Sequence, residues 1–254
     1  MVRVAVTGGT GAMGAELRRE ATTRDDIELG LVSTRADPAA ISESVPVVSP
    51  SDLASGLDDN EIDVVVDFTV PAATLTTVER AIESDCAVVS GTTGFDENDH
   101  DRLTQAAEVI PLMVAPNFSR GIHALVSGMQ AAIEPLPGYD IEITETHHNR
   151  KRDAPSGTAD RLVSVIEAMR ADTRRVHGRE GEDPRESGDI GIHARRAGEI
   201  TGEHEVLVAG NAEELRLVHR AESRRVFAAG ALDAATWIAG KPPGSYQFAE
   251  VLES

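Results

Sequence analysis

The chain has 254 residues, 41% of them hydrophobic, enough for a folded core and too many for a disordered chain. Its 43 acidic residues outnumber 24 basic ones for a formal charge of −19, which makes it a poor partner for nucleic acid or an anionic membrane surface, because phosphates are repelled. No apolar run reaches the ~18 residues of a membrane span, no signal-peptide pattern precedes the first strand, and the single Cys86 excludes an intrachain disulfide; a cytoplasmic protein of one or two domains is expected.

In the first half, short apolar runs alternate with amphipathic stretches. Val2–Val6 reads as a buried strand, Gly11–Ala21 as a helix, Ile27–Val32 as a strand and Pro46–Val48 as a weaker one. Asp63–Asp67, Cys86–Ser90 and Pro111–Ala115 follow as strands, with helices over Ala72–Glu83 and Glu97–Glu108 between them. Continuous apolar strands separated by helices predict a doubly wound, Rossmann-like parallel sheet covered on both faces.

The rhythm changes near Asn117. Ile122–Glu134 and Ala159–Met169 read as helices, and Asp140–Thr146 alternates as a half-buried strand. His177–Asp189, rich in Gly and charge, predicts a mobile loop. Gly191–Ile200, Glu203–Val208 and Glu213–Ala221 read as consecutive antiparallel strands, and Val226–Ala239 as a closing helix in which Trp237 is packing. The expectation is a second α+β domain over residues 119–221 with a mixed or antiparallel sheet, the dinucleotide domain taking 1–118 and 222–254. Cys86, in a buried strand pattern, reads as packing.

Lys occurs only at Lys151 and Lys241, every other basic residue being Arg. Heavy acid loading with so little Lys predicts a protein that works in concentrated salt, where self-repulsion is screened. The two lysines left are candidates for places that need an ammonium.

Two segments carry chemistry. Thr7-Gly8-Gly9-Thr10-Gly11-Ala12-Met13-Gly14 follows the first strand and opens a helix, satisfying GxGxxG through Gly9, Gly11 and Gly14. Such glycines permit the tight turn and let the backbone approach a pyrophosphate at the helix N-terminus. After the second strand the chain reads Ser33-Thr34-Arg35, with no carboxylate before Asp37; a guanidinium and two hydroxyls suit a 2′-phosphate, so NADPH is expected over NADH.

The other segment is Glu145-Thr146-His147-His148-Asn149-Arg150-Lys151-Arg152-Asp153-Ala154-Pro155-Ser156-Gly157-Thr158, a strand end, a loop and a helix start. A capped helix N-terminus beside Lys151 is a receptor for a small polycarboxylate, and histidine suits proton transfer near neutral pH. No metal site is expected, since adjacent His147 and His148 point to opposite faces and no third ligand has metal-site spacing.

With these residues in hand the chain resembles the 4-hydroxy-tetrahydrodipicolinate reductase family, from Arg3 to about Leu252. HHxxK followed by DAPSGT is specific, and Asp67-Phe68-Thr69, Gly91–Asp96, Asn117–Ser119, Arg196–Gly198, Gly202–His204 and Arg220–Phe227 also match in order. The resemblance implies reduction of a hydroxylated cyclic imine dicarboxylate by NADPH or NADH, with loss of water, in lysine and diaminopimelate biosynthesis, by a homotetramer. It implies that Gly8, Gly9, Thr10, Gly11, Ala12 and Met13 cradle the pyrophosphate and Arg35 meets the adenosine ribose or its phosphate. Gly91, Thr92, Thr93, Ala115, Pro116, Asn117 and Phe118 take the nicotinamide side. His147 is then the proton donor and Lys151 the second acid–base group, while His148, Lys151, Ser156, Gly157 and Thr158 hold the substrate carboxylates. Two departures concern the cofactor: Ala12 stands where the family often has a basic residue, and the acid expected near Thr34 is missing.

Three alternatives remain in view. A short-chain dehydrogenase needs YxxxK, and neither Tyr139 nor Tyr246 has Lys four residues on. A non-catalytic NADPH-binding regulator has no use for HHxxK. A related two-domain reductase of another small carboxylic acid does not explain DAPSGT.

Overall fold

The computed structural model describes residues 1–42 and 44–253. The chain divides into two compact units, Met1–Phe118 with Arg224–Ser254, and Ser119–Ser223.

The first unit contains β1 (Val2–Thr7), α1 (Ala12–Ala21), β2 (Ile27–Ser33), β3 (Val47–Val48), α2 (Leu53–Asp59), β4 (Val64–Asp67), α3 (Pro71–Glu83), β5 (Ala87–Ser90), α4 (Glu97–Ala107) and β6 (Pro111–Val114). The chain re-enters it after the second unit for α7 (Arg225–Ile238), β12 (Gly244–Ser245) and α8 (Phe248–Leu252). Its seven strands lie in the order β12-β6-β5-β4-β1-β2-β3, all parallel. Alternation within the buried strands feeds two cores. Val4, Val6, Val64, Val66, Ala87 and Val89 face α1, α7 and α8, while Ala5, Val65 and Val88 face α2, α3 and α4. This two-sided burial is why the strands read as unbroken apolar runs. Helix starts have local causes: Pro71 opens α3, and Asp96 and Asp99 form a capping box on α4. The Cys86 thiol is buried, donates to the Ile62 carbonyl at 2.9 Å and is pushed up by burial to about 12, so it is packing and not a nucleophile.

The second unit contains α5 (Arg120–Ile133), β7 (Asp140–His147), α6 (Gly157–Met169), β8 (Arg174–His177), β9 (Asp189–Arg196), β10 (Gly202–Gly210) and β11 (Glu213–Ala221). Its five strands run β11-β10-β7-β9-β8. The sheet is mixed: β10 is antiparallel to β11 and β7, whereas β7, β9 and β8 are parallel. This corrects the expectation of three consecutive antiparallel strands, because β9 pairs with β7 and never meets β10. Both strands flank β7, where Ile141 and Ile143 pair with Ile190 and Ile192 on one side and with Val208 and Val206 on the other. Ile141, Ile143, Ile190, Ile192, Val206 and Val208 pack in one cluster with residues of α5 and α6.

The charged segment expected as a loop is bounded by β8 and β9, and it is tied down. Asp189 accepts from Arg174 Nε at 2.9 Å, from Arg179 Nη2 at 3.0 Å and from the Glu186 amide at 3.0 Å, and Arg185 bonds Glu142. Trp237 is also more than packing: Lys241 Nζ sits 3.9 Å from its ring centre, and Tyr246 meets it edge-on.

Candidate active site

In the first unit the expected cofactor residues follow the carboxyl ends of β1, β2, β5 and β6, which lie on one edge of the parallel sheet. The glycine loop is shaped by close approach. Gly8 has φ +62°, and a Cβ on Gly9 would lie 2.2 Å from Val32 Cγ1. A Cβ on Gly14 would lie 2.3 Å from the Gly8 carbonyl oxygen, so only glycine lets α1 start this close to the loop. Gly11 caps α1 without a side-chain bond, leaving the helix end to its backbone amides. Thr10 and Thr34 hydroxyls meet at 2.9 Å, and Arg35 beside them is exposed. Phe118 differs from its neighbours. Its ring is fully buried, 5.7 Å from Phe68 and 5.1 Å from Phe248 between centroids, so the ring itself is closed to a ligand.

In the second unit the register assembles a cluster at the carboxyl ends of β7 and β9. Glu145 pairs with Ala194 and with His204, and His147 with Arg196, so Glu145, His147, Arg196 and His204 share the face that carries Ile141 and Ile143. Glu145 is wholly buried. Its Oε2 lies 2.5 Å from His147 Nδ1, and Arg196 forks onto both oxygens at 2.7 and 2.8 Å. The Ser156 amide donates to Oε1 at 3.1 Å. Ser156 caps α6 by accepting from the Ala159 amide at 3.2 Å, and its hydroxyl lies 3.1 Å from His204 Nε2. A Cβ on Gly157 would meet nothing within 4 Å, so the start of α6 is open to a ligand.

Burial drives the Glu145 carboxyl up, but hydrogen bonds and charge from His147 and Arg196 outweigh it and hold it at about 2. An ionised Glu145 can only accept, so the proton it shares with His147 belongs to Nδ1. That leaves Nε2 as the working nitrogen. A Cβ on Gly202 would come within 3.1 Å of it, so glycine keeps the approach to Nε2 clear. His204 is pushed down to about 3, first by burial and then by His147, and is neutral. Lys151 Nζ bonds Asp153 Oδ2 at 2.8 Å, while Arg150 turns away to a two-point contact with Glu199.

The structure thus joins His147 to Ser156 through Glu145 and His204, and places His148 and Lys151 on the intervening loop. Glu145, Arg196, Gly202 and His204 were not among the expected site residues. One signal was present: Glu145 occupies an inward position of an alternating strand, where an acid has no place unless it is paired. Among the described residues no cluster of metal-ligating side chains occurs.

A doubly wound sheet with a glycine loop, and a separate mixed sheet carrying a carboxylate–histidine pair, define a two-domain nicotinamide-nucleotide oxidoreductase. Residues 2–118 match the family model for dihydrodipicolinate reductase, N-terminus, and residues 121–252 that for its C-terminus. The chain therefore belongs to the dihydrodipicolinate reductase family. It is 50% identical over 254 residues to the 4-hydroxy-tetrahydrodipicolinate reductase of Haloarcula marismortui, with all of both chains covered. It is 46% identical over 252 residues to that of Natronomonas pharaonis, covering 99% of this chain and 100% of the other. A dipicolinate-bound dihydrodipicolinate reductase from Paenisporosarcina sp. TG-14 superposes with a TM-score of 0.80 at 27% identity, over 97% of each chain.

The two depressed groups make the second unit acid-sensitive. Between pH 6.5 and about 3 the unfolded chain binds a proton at His204 that the folded chain refuses, and between 4.5 and about 2 the same holds for Glu145. Stability is therefore full above these windows and falls as pH drops through them, with His219, also lowered by burial, adding in the same sense. Urea-unfolding midpoints measured from pH 7 to 4.5 should fall, and His204→Asn should flatten the fall by up to about 1.4 kcal/mol per pH unit. A midpoint independent of pH in the parent protein contradicts the assignment.

Proposed function

We infer that this protein reduces 4-hydroxy-tetrahydrodipicolinate to tetrahydrodipicolinate, with loss of water, using a nicotinamide cofactor, in lysine and diaminopimelate biosynthesis. The observation that carries this reading is His147 held by Glu145 beside the open start of α6, in a chain half identical to a reductase of that name.

The glycine loop fits the cofactor, since Gly8, Gly9 and Gly14 occupy positions that a Cβ would block. On this reading Gly8–Met13 cradle the pyrophosphate, the Gly9 and Gly11 amides bracing the loop on the Ser33 and Gly8 carbonyls, and Gly91, Thr92, Thr93, Ala115, Pro116, Asn117 and the Phe118 backbone take the nicotinamide side. Once the C4 hydroxyl and a C3 proton have left as water, in solution or on the enzyme, giving a conjugated ring, bound NAD(P)H would supply a hydride to C4. His147 then adds a proton at C3 through Nε2, while Glu145 holds the ring from the other side and stabilises the imidazolium. Lys151 releases Asp153 to bind a substrate carboxylate and acts as the second acid–base group. His148, Ser156, Gly157 and Thr158 bind the carboxylates with the help of the α6 dipole.

Substrate made in situ from aspartate semialdehyde and pyruvate by the preceding synthase, in molar salt, gives an assay at ~340 nm, and oxidation of the dinucleotide should require that product. His147→Ala should lower kcat by about 10²–10⁴ while leaving NADPH binding intact, and Lys151→Ala should lose both substrate affinity and turnover. Near-normal turnover by His147→Ala removes the proton-donor role.

NADPH is the preferred cofactor on this reading. Arg35 and the Thr34 hydroxyl stand where an NAD-selective site carries an acid. Arg35→Ala should raise the KM for NADPH about tenfold, the loss of one charge-assisted contact, and leave that for NADH unchanged. Equal kinetic constants for the two cofactors in the parent protein contradict the preference.

We also infer a cytoplasmic homotetramer, adapted to salt, that binds neither nucleic acid nor membrane. The acidic, Lys-poor composition supports the salt adaptation, and no helix among the described residues is long and apolar enough to cross a membrane. Light scattering in molar salt should give four times the 27.0 kDa chain mass, and a monomer overturns the tetramer.

A further inference from the structure

A second buried acid organises the first unit. Asp67 ends β4 with its side chain fully enclosed. The chain leaves β1 toward β2 on one side, and β4 lies on the other, so the sheet reverses its order between β1 and β4, where ligands bind doubly wound folds. The register lines up Thr7 of β1, Asp67 of β4 and Ser90 of β5 at this point.

Five hydroxyls converge on the two oxygens of Asp67. Thr7 and Thr69 approach Oδ1 at 2.5 and 2.8 Å, and Thr74, Thr92 and Ser90 approach Oδ2 at 2.6, 3.0 and 3.2 Å. The same hydroxyls anchor the loops that follow these strands. The Thr69 amide donates to Thr92 Oγ1 at 3.1 Å, and the Thr92 amide to Ser90 Oγ at 3.2 Å. Thr7 leads directly into Gly8, whose added Cβ would lie 2.8 Å from Thr69 Cγ2, and an added Cβ on Gly91 would strike the Phe68 ring at 2.0 Å. Three loops, from the ends of β1, β4 and β5, are thereby fixed against one another through one side chain.

Packing alone does not call for an acid here. Val64, Val65 and Val66 fill the rest of β4, and a carboxyl group costs desolvation that an apolar residue avoids. What the acid adds is direction. Each hydroxyl proton pointed at Asp67 fixes the orientation of its loop, and the Thr69, Gly91 and Thr92 amides are held within the same network. We propose that Asp67 is a positioning residue that preorganises the glycine loop and the Gly91–Thr93 loop for the dinucleotide, an inference that rests on the assignment of those loops to the cofactor. It touches no reacting atom and acts through Thr7, Thr69, Thr74, Ser90 and Thr92.

The test compares NADPH dissociation constants, kcat at saturating cofactor and substrate KM for Asp67→Asn, Thr74→Val, Thr74→Ser and the Asp67→Asn/Thr74→Val pair; Thr74 bonds Asp67 Oδ2 at 2.6 Å and lies outside the expected cofactor residues. Asp67→Asn and Thr74→Val should each weaken NADPH binding about tenfold with kcat changed less than threefold. Thr74→Ser, which keeps the hydroxyl, should stay near the parent value, and the double variant should be no worse than the weaker-binding single one, because both changes remove one network. Folded Asp67→Asn and Thr74→Val with the parent's NADPH affinity overturn the positioning role, whatever their stability, and additive losses in the double variant do the same. A parent protein that binds no NADPH removes the cofactor assignment itself. Should Asp67→Asn fail to fold, Thr74→Val, which removes one donor and keeps the acid, carries the same expectation and the same contradiction.

Discussion

The second unit depends on a carboxylate that has no contact with water. Isolated, a charge so placed would cost several kcal/mol, and it persists because Arg196, His147 and the Ser156 amide converge on it. Each partner belongs to a different segment: Arg196 ends β9, His147 ends β7 and Ser156 caps α6. Satisfying one charge therefore docks a strand, orients the imidazole and sets the start of a helix at once. Removing one partner leaves the others around an uncompensated charge, a loss of about 3–5 kcal/mol for buried pairs of this kind. Only a planar fork reaches both oxygens of Glu145 side by side, which explains why Arg and not Lys serves here, in a chain that keeps Lys for two places.

The first unit uses a related device with different partners. Asp67 also sits at the carboxyl end of a central strand and is also enclosed, but hydroxyls replace the cation and the histidine. On the proposed reading the difference follows from what each site would receive. A loop that cradles a pyrophosphate needs its backbone amides aimed outward and its own hydroxyls turned inward. A site that transfers a proton needs a titrating ring whose second nitrogen is already engaged. In both units the strand end stands above a cluster of buried apolar side chains, and the polar cluster is built on that floor.

Much of this was legible in the residues. The parallel sheet showed in runs such as Val2–Val6 and Asp63–Asp67, since strands buried on both faces need no polar alternation. The glycine loop and the His147–Thr158 segment were visible because few other chemistries use those spacings. The order of the second sheet was not legible, because β9 reaches β7 through pairing between segments far apart in sequence, and adjacency along the chain suggested β10 instead. The short α2, β8, β12 and α8 carry too few residues for a period to show. Arg196 and His204 stayed hidden for a related reason, since their roles exist only once β9 and β10 flank β7. Glu145 and Asp67 were each readable as an acid at an inward strand end, an anomaly that points to a site before any partner is known. Phe118 follows a strand end like its neighbours, and its own ring completes the core.

The central claim is that Glu145 fixes the tautomer of His147 so that Nε2 carries the exchangeable proton. Long-range ¹H–¹⁵N NMR of the folded protein in molar salt reads this directly. The account predicts that neutral His147 carries its proton on Nδ1, with Nε2 bare, and that Glu145→Gln weakens this bias toward the Nδ1–H form. A neutral His147 protonated at Nε2 would contradict it.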